Sequence, residues 1–155
     1  MKKLAFLIFL ATLVFTCGND AKDSSKDSAS KPAATKKIDD GKGVGSVRTV
    51  KLNIPLDAKM VASGKAIYEM KCSACHKLTD KRVVGPGWKG LTELRKPEWI
   101  MNMVMNVEEM LEEDPTAKNL LKQCLVRMPN QKLTEQNSRD VLEFMFSLDG
   151  QEVGK

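Results

Sequence analysis

Cys72-Ser73-Ala74-Cys75-His76 sets two thiols three positions apart with an imidazole beside the second, and no other stretch of this chain restricts its architecture so strongly. A structural zinc site takes four Cys or His ligands. Around this motif the chain offers Cys72, Cys75, Cys124 and its one histidine, with Cys75 and His76 adjacent and poorly placed to share an ion. A thioredoxin-like redox pair needs C-x-x-C beside a βαβ pattern, whereas the flanks here read as helix and turn. The remaining reading is covalent haem attachment, for which C-x-x-C-H is the spacing. Two thiols at that separation add to the two vinyl groups on one edge of a porphyrin. His76 then lies beneath the ring with a nitrogen directed at iron.

Two further segments accompany the motif, Gly85-Pro86-Gly87-Trp88-Lys89-Gly90 and Arg127-Met128-Pro129-Asn130. With them, residues 57–149 resemble a small class I cytochrome c domain carrying one haem. The resemblance implies an all-α, cytochrome c-like fold in which helices and long loops wrap one covalently bound haem c. It implies that the Pro86 carbonyl accepts the free imidazole N–H of His76, which orients the ring and tunes the iron. Trp88 is expected to wall the pocket, either reaching a haem propionate or serving as plain core.

The sixth iron ligand is a separate question. His76 is the single histidine, so bis-histidine ligation within one chain is excluded. Met128 matches the family's loop methionine followed by proline, and Pro129 keeps Met128 out of a helix. A thioether ligand raises the reduction potential relative to stronger donors. Cys124, four residues earlier, another methionine and an open position are the alternatives. Met101, Met103 and Met105 fall in an expected helix whose packing accounts for them.

Asp57 is a good N-cap for a helix ending near Ser73, with Met60, Val61, Gly64, Ile67 and Tyr68 in one stripe. Thr134 caps a last helix with Val141, Leu142, Phe144, Met145 and Leu148 on its inner face. In the cytochrome c family the first and last helices cross closely, and Gly64 and Phe144 are the small and large candidates for that crossing. Pro97 suits the start of a helix carrying Trp99, Ile100, Met103 and Val104. Asp114-Pro115 does the same for residues 116–124. No internal repeat and no alternating strand run is present.

The N-terminal third reads differently. Met1-Lys2-Lys3, an apolar run over residues 4–14 and then Cys17 resemble a bacterial lipoprotein leader, with residues 1–16 as signal peptide and Cys17 as the acylated residue. Phe15 is bulkier than that pattern usually has, and ordinary cleavage or an uncleaved anchor are the other readings. The run is shorter than the ~20 residues of a spanning helix. Residues 17–46 are rich in Lys, Asp, Ser, Ala and Gly with few large apolar side chains, and read as a flexible tether with a reach of roughly 30 Å. Residues 47–56 form a lead-in, extended over 47–54 and interrupted by Pro55, and residues 150–155 a C-terminal tail. With Cys17 assigned to lipid and Cys72 and Cys75 to haem, Cys124 is left without a partner and reads as a small buried side chain.

The formal net charge is +5, and +3 without Lys2 and Lys3. Lys71, Lys77, Lys81, Arg82, Lys89, Arg95 and Lys96 cluster around the motif, opposed by Glu108, Glu109, Glu112, Glu113 and Asp114. Such asymmetry either steers an acidic redox partner or is simply two solvated faces. No nucleic-acid motif is present.

The resemblance implies a monomeric, lipid-anchored electron carrier on the periplasmic side of a bacterial membrane. By the same resemblance it serves redox proteins such as a quinol-oxidising complex, a terminal oxidase or a nitrogen-oxide reductase, and has no catalytic residue of its own. The rival reading is a haem enzyme subunit or gas sensor whose sixth position is open, displaceable or bound by Cys124.

Overall fold

The structure, a computed structural model, describes residues 40–155. The leader, Cys17 and the tether up to residue 39 lie outside the described residues. Among the described residues there are six helices and one isolated β-bridge: α1 (Ala58–Lys71), α2 (Leu91–Leu94), α3 (Pro97–Met105), α4 (Val107–Glu113), α5 (Pro115–Cys124) and α6 (Glu135–Leu148). None of these helices is long and apolar enough to cross a membrane.

Local chemistry starts each of the longer helices. The Asp57 carboxylate accepts from the Lys59 and Met60 amides at the head of α1. Thr134 Oγ1 accepts from Asn137 N at the head of α6. Each satisfies helix amides that lack an intrahelical partner. Pro97 and Pro115 begin α3 and α5, where the missing N–H costs nothing.

The first and last helices pack against each other through Gly64 of α1, whose lack of a side chain lets the Asp140 backbone and Phe144 of α6 approach. Ile67, Tyr68, Val141, Leu142, Phe144 and Met145 are buried around this crossing, as the stripes of both helices predict.

Two helices are not legible in the sequence reading. α4 occupies the segment read only as an acidic block; Val107, Met110 and Leu111 give it a buried edge at i, i+3 and i+4 beneath the glutamates. The one-turn α2 is anchored from outside, since the Asp149 carboxylate accepts from Gly90 N, Thr92 N and Thr92 Oγ1.

Residues 40–46, expected as the end of the tether, are packed onto the domain. Residues 40–47 lie against α3 and α4 as a strap. Buried Asn102 of α3 donates to the Lys42 and Val47 carbonyls and accepts from Val47 N. In the lead-in Val50 N donates to Glu98 of α3, the Lys51 carbonyl accepts from Arg139 of α6, and Leu56, fully buried, exchanges backbone hydrogen bonds with the C-terminal tail at Glu152 and Gly154. Beneath it lies Glu143, 0% exposed, ion-paired to Arg139 at 2.8 Å and accepting from Asn53 and Asp57 N.

Candidate haem site

The motif continues α1 for one more turn. Cys72 is the C-cap residue, and its carbonyl accepts from both Cys75 N (3.1 Å) and His76 N (2.9 Å). This turn sends Cys72, Cys75 and His76 to the wall of a single cavity of about 350 Å³. Cys72 is buried and Cys75 half-buried. Burial pushes the Cys72 thiol up to about 11, so in the haem-free chain it is held as the neutral thiol.

His76 is fixed from two directions. The Tyr68 hydroxyl donates to its backbone carbonyl at 2.8 Å. Its ring Nδ1 lies 2.8 Å from the Pro86 carbonyl oxygen. A carbonyl can only accept, so Nδ1 carries the proton and Nε2 of the neutral ring keeps its lone pair. Burial lowers the His76 pKa, partly offset by the Pro86 hydrogen bond. Gly85 makes the approach possible: a Cβ there would stand 2.3 Å from His76 Cε1. Its amide is tied to the Cys75 carbonyl at 3.0 Å, which locks the Gly85-Pro86 segment to the motif.

Trp88 is buried and lines the same cavity. It packs at 4.8 Å from Tyr68 and 5.9 Å from His76, centroid to centroid, with Phe144 behind. These offset and tilted ring contacts are the favoured aromatic geometry, and they join the α1–α6 crossing directly to the imidazole.

Cys124, the last residue of α5, and Met128, on the chain that returns from α5 to α6, line the cavity as well; Cys124 is half-buried and not the buried side chain expected. So does Met103 of α3, a thioether that helix packing alone was expected to explain. Trp99, another lining residue, donates from Nε1 to the buried Asp114 carboxylate, which also caps α5 through Ala117 N. That bridge between α3 and α5 leaves no mark in the sequence, because its partners lie fifteen residues apart with no periodic signal. Of the basic cluster, Lys71 lines the cavity, while Arg95 sits over the Trp99 ring at 5.4 Å and Lys96 donates to the Asp40 carbonyl.

The donor set fits a covalently held iron porphyrin. An apolar cavity with two thiols on its wall, an oriented imidazole with a free lone pair and no room for a side chain at Gly85 are the features such a group needs. A helical fold with this site defines a c-type haem protein. The cytochrome c family model matches residues 61–149, more than half of the chain, and the chain belongs to the cytochrome c family.

Solved structures agree. Cytochrome c from Rhodothermus marinus is 31% identical and gives a TM-score of 0.65, covering 68% of this chain and 90% of that one. An engineered form of the R. marinus protein, Rma TDE, is 30% identical with the same TM-score and coverage. That form bound to a carbene intermediate, 1-ethoxy-1-oxopropan-2-ylidene, gives 0.62 at 30% identity, again over 68% and 90%. No curated protein matched the chain.

The protein is thus a class I, mono-haem cytochrome c with one covalently attached haem c. When bound, haem supplies a one-electron ferric/ferrous couple. Electron transfer between redox partners is the work that family membership indicates, and domains of this family are typically exported.

Proposed function

We propose that this protein is a membrane-tethered, monomeric electron shuttle outside the cytoplasm, with His76 and Met128 as the two axial ligands of its iron. The observation that carries this reading is that Met128 lines the same cavity as Cys72, Cys75 and His76, in a chain with a single histidine. Cys72 and Cys75 hold the porphyrin edge, the Pro86 carbonyl orients His76 and Trp88 walls the pocket. An iron with both axial positions filled by protein has no site for substrate. This favours a carrier over an enzyme. The thioether keeps the ferrous state accessible.

Cys17 carries the lipid in this reading and residues 17–39 the reach. The haem domain then moves between a quinol-oxidising donor and an oxidase or nitrogen-oxide reductase at raised effective concentration. Because more than one acyl chain is needed for stable anchoring, Cys17→Ser is expected to shift the protein from the membrane to the soluble fraction of lysed cells. Equal membrane association of both proteins would sink the anchor.

The test of ligation is the optical spectrum of the ferric holoprotein beside Met128→Ala. A far-red charge-transfer band in the parent, lost in the variant, is the expected result. Cys124 and Met103 on the same cavity favour one alternative, a protein whose sixth ligand is cysteine or is displaced by a small molecule. A parent without the band, together with fast carbon monoxide binding to the ferrous protein, would put that alternative in its place.

A further inference from the structure

The loop that bears Met128 lacks the usual backbone support. α5 makes its last backbone hydrogen bond at Leu125 N to Leu121 O, and the next belongs to α6 at Ser138 N to Thr134 O. Among the described residues, no backbone-to-backbone hydrogen bond involves residues 126–133. Both ends of the loop turn through left-handed backbone on side-chain-bearing residues, Leu125 (φ 60°) and Lys132 (φ 52°), a conformation that glycine favours and leucine does not. Pro129 contributes no donor.

Side chains supply what the backbone does not. Glu112 of α4 pairs with Arg127 at 3.8 Å, one residue before Met128. Glu108, one helical turn earlier on the same face, accepts from Asn130 Nδ2 at 2.9 Å, two residues after it. Lys71 of α1 adds a longer contact to the Gln131 carbonyl at 3.4 Å. Asn130 in turn braces the loop internally by accepting from Lys132 N at 2.8 Å. The two glutamates therefore grip the loop on either side of the methionine.

We propose that Glu108 and Glu112 are positioning residues that hold the Met128 loop closed over the haem cavity, so that an exposed, salt-sensitive latch sets how readily the methionine leaves the iron. The proposal rests on Met128 being the sixth ligand. The acidic block of α4 thereby acquires a role that a solvated face lacks. Both contacts are surface-exposed, with the Arg127 and Glu112 side chains 55% and 70% exposed. Each is individually weak and screened by salt. A latch of that strength does not hold the fold together, but it shifts the equilibrium of a loop that has few other ties.

The experiment uses the full haem-loaded protein. Imidazole is mixed with the ferric form, and loss of the far-red band reports the rate at which methionine is displaced. Glu108→Gln with Glu112→Gln should accelerate displacement about three- to tenfold, and parent displacement should quicken with added sodium chloride. Glu109→Gln, which removes a charge from the same helix without touching the loop, should leave the rate unchanged. The exchanged pair Glu112→Arg with Arg127→Glu should bring the rate back toward the parent's relative to either single change. A loss of global stability alone cannot produce that recovery. A parent with the band whose rate ignores Glu108 and Glu112 overturns the latch and leaves Met128 ligation standing. A parent without the band overturns the ligation and, with it, the latch.

Discussion

The backbone carbonyl oxygen of Asp140 lies 2.1 Å from where a Cβ on Gly64 would be. The first and last helices thus meet at backbone-to-backbone distance at one point. Gly64→Ala would gain about 1 kcal/mol of helix propensity. The obstacle is a backbone atom that no rotamer change can move, so overpacking of about 1–3 kcal/mol wins. The expected outcome is net destabilisation of the holoprotein, read as a lower denaturant midpoint. An unchanged or higher midpoint would show that the helices can part without penalty.

Gly85→Ala acts on the site itself. Its methyl would fall 2.3 Å from His76 Cε1 and force the imidazole out of line with the Pro86 carbonyl. Loss of that hydrogen bond changes the basicity of the imidazole proposed as an iron ligand. We expect a shifted reduction potential and a reduced yield of haem-loaded protein, measured by spectroelectrochemistry and by haem content per chain. A potential and yield equal to the parent's would mean that the ring has slack.

Glu143 is a fully buried carboxylate whose partners span the lead-in and α6, by way of Arg139, Asn53 and Asp57 N. Glu143→Ala leaves the Arg139 charge and these amides without their acceptor, a loss of about 3–5 kcal/mol for a broken buried pair. Glu143→Gln keeps one oxygen acceptor and should cost less. Denaturant unfolding of both variants, followed by haem absorbance, tests the order. Equal effects would mean that the charge contributes little.

Asn102 holds the strap by three hydrogen bonds to the backbone of Lys42 and Val47. Asn102→Ala should raise amide hydrogen exchange over residues 42–47 while leaving α6 protected, because each orphaned backbone group loses about 1–3 kcal/mol of compensation. Uniform protection across the strap in the variant would show that Trp99 and Met110, which crowd Gly43, hold it without Asn102, with Val44 N donating to Met110 Sδ at 2.9 Å.

The sequence by itself determined the chemistry and the punctuation of this protein. The Cys72-Ser73-Ala74-Cys75-His76 turn, the Asp57 and Thr134 caps, the apolar stripes of α1 and α6 and the proline starts of α3 and α5 are all local. Each depends on residues within about one or two helical turns of one another, where spacing along the chain is spacing in space. The same holds for the all-α class and for the choice of haem over zinc. Only the tertiary structure decided the rest. α4 was hidden because its buried edge is three residues set among glutamates, and the strap because glycine-rich composition resembles a tether until Asn102 offers it partners. The Asp114 bridge to Trp99, the Glu143 bonds to Asn53 and Asp57 and the grip of Glu108 and Glu112 on the Met128 loop join residues fifteen to ninety positions apart. A hydrogen bond of that range leaves no periodic trace in the chain, since it depends on where the packed helices bring their surfaces and not on the order of the residues.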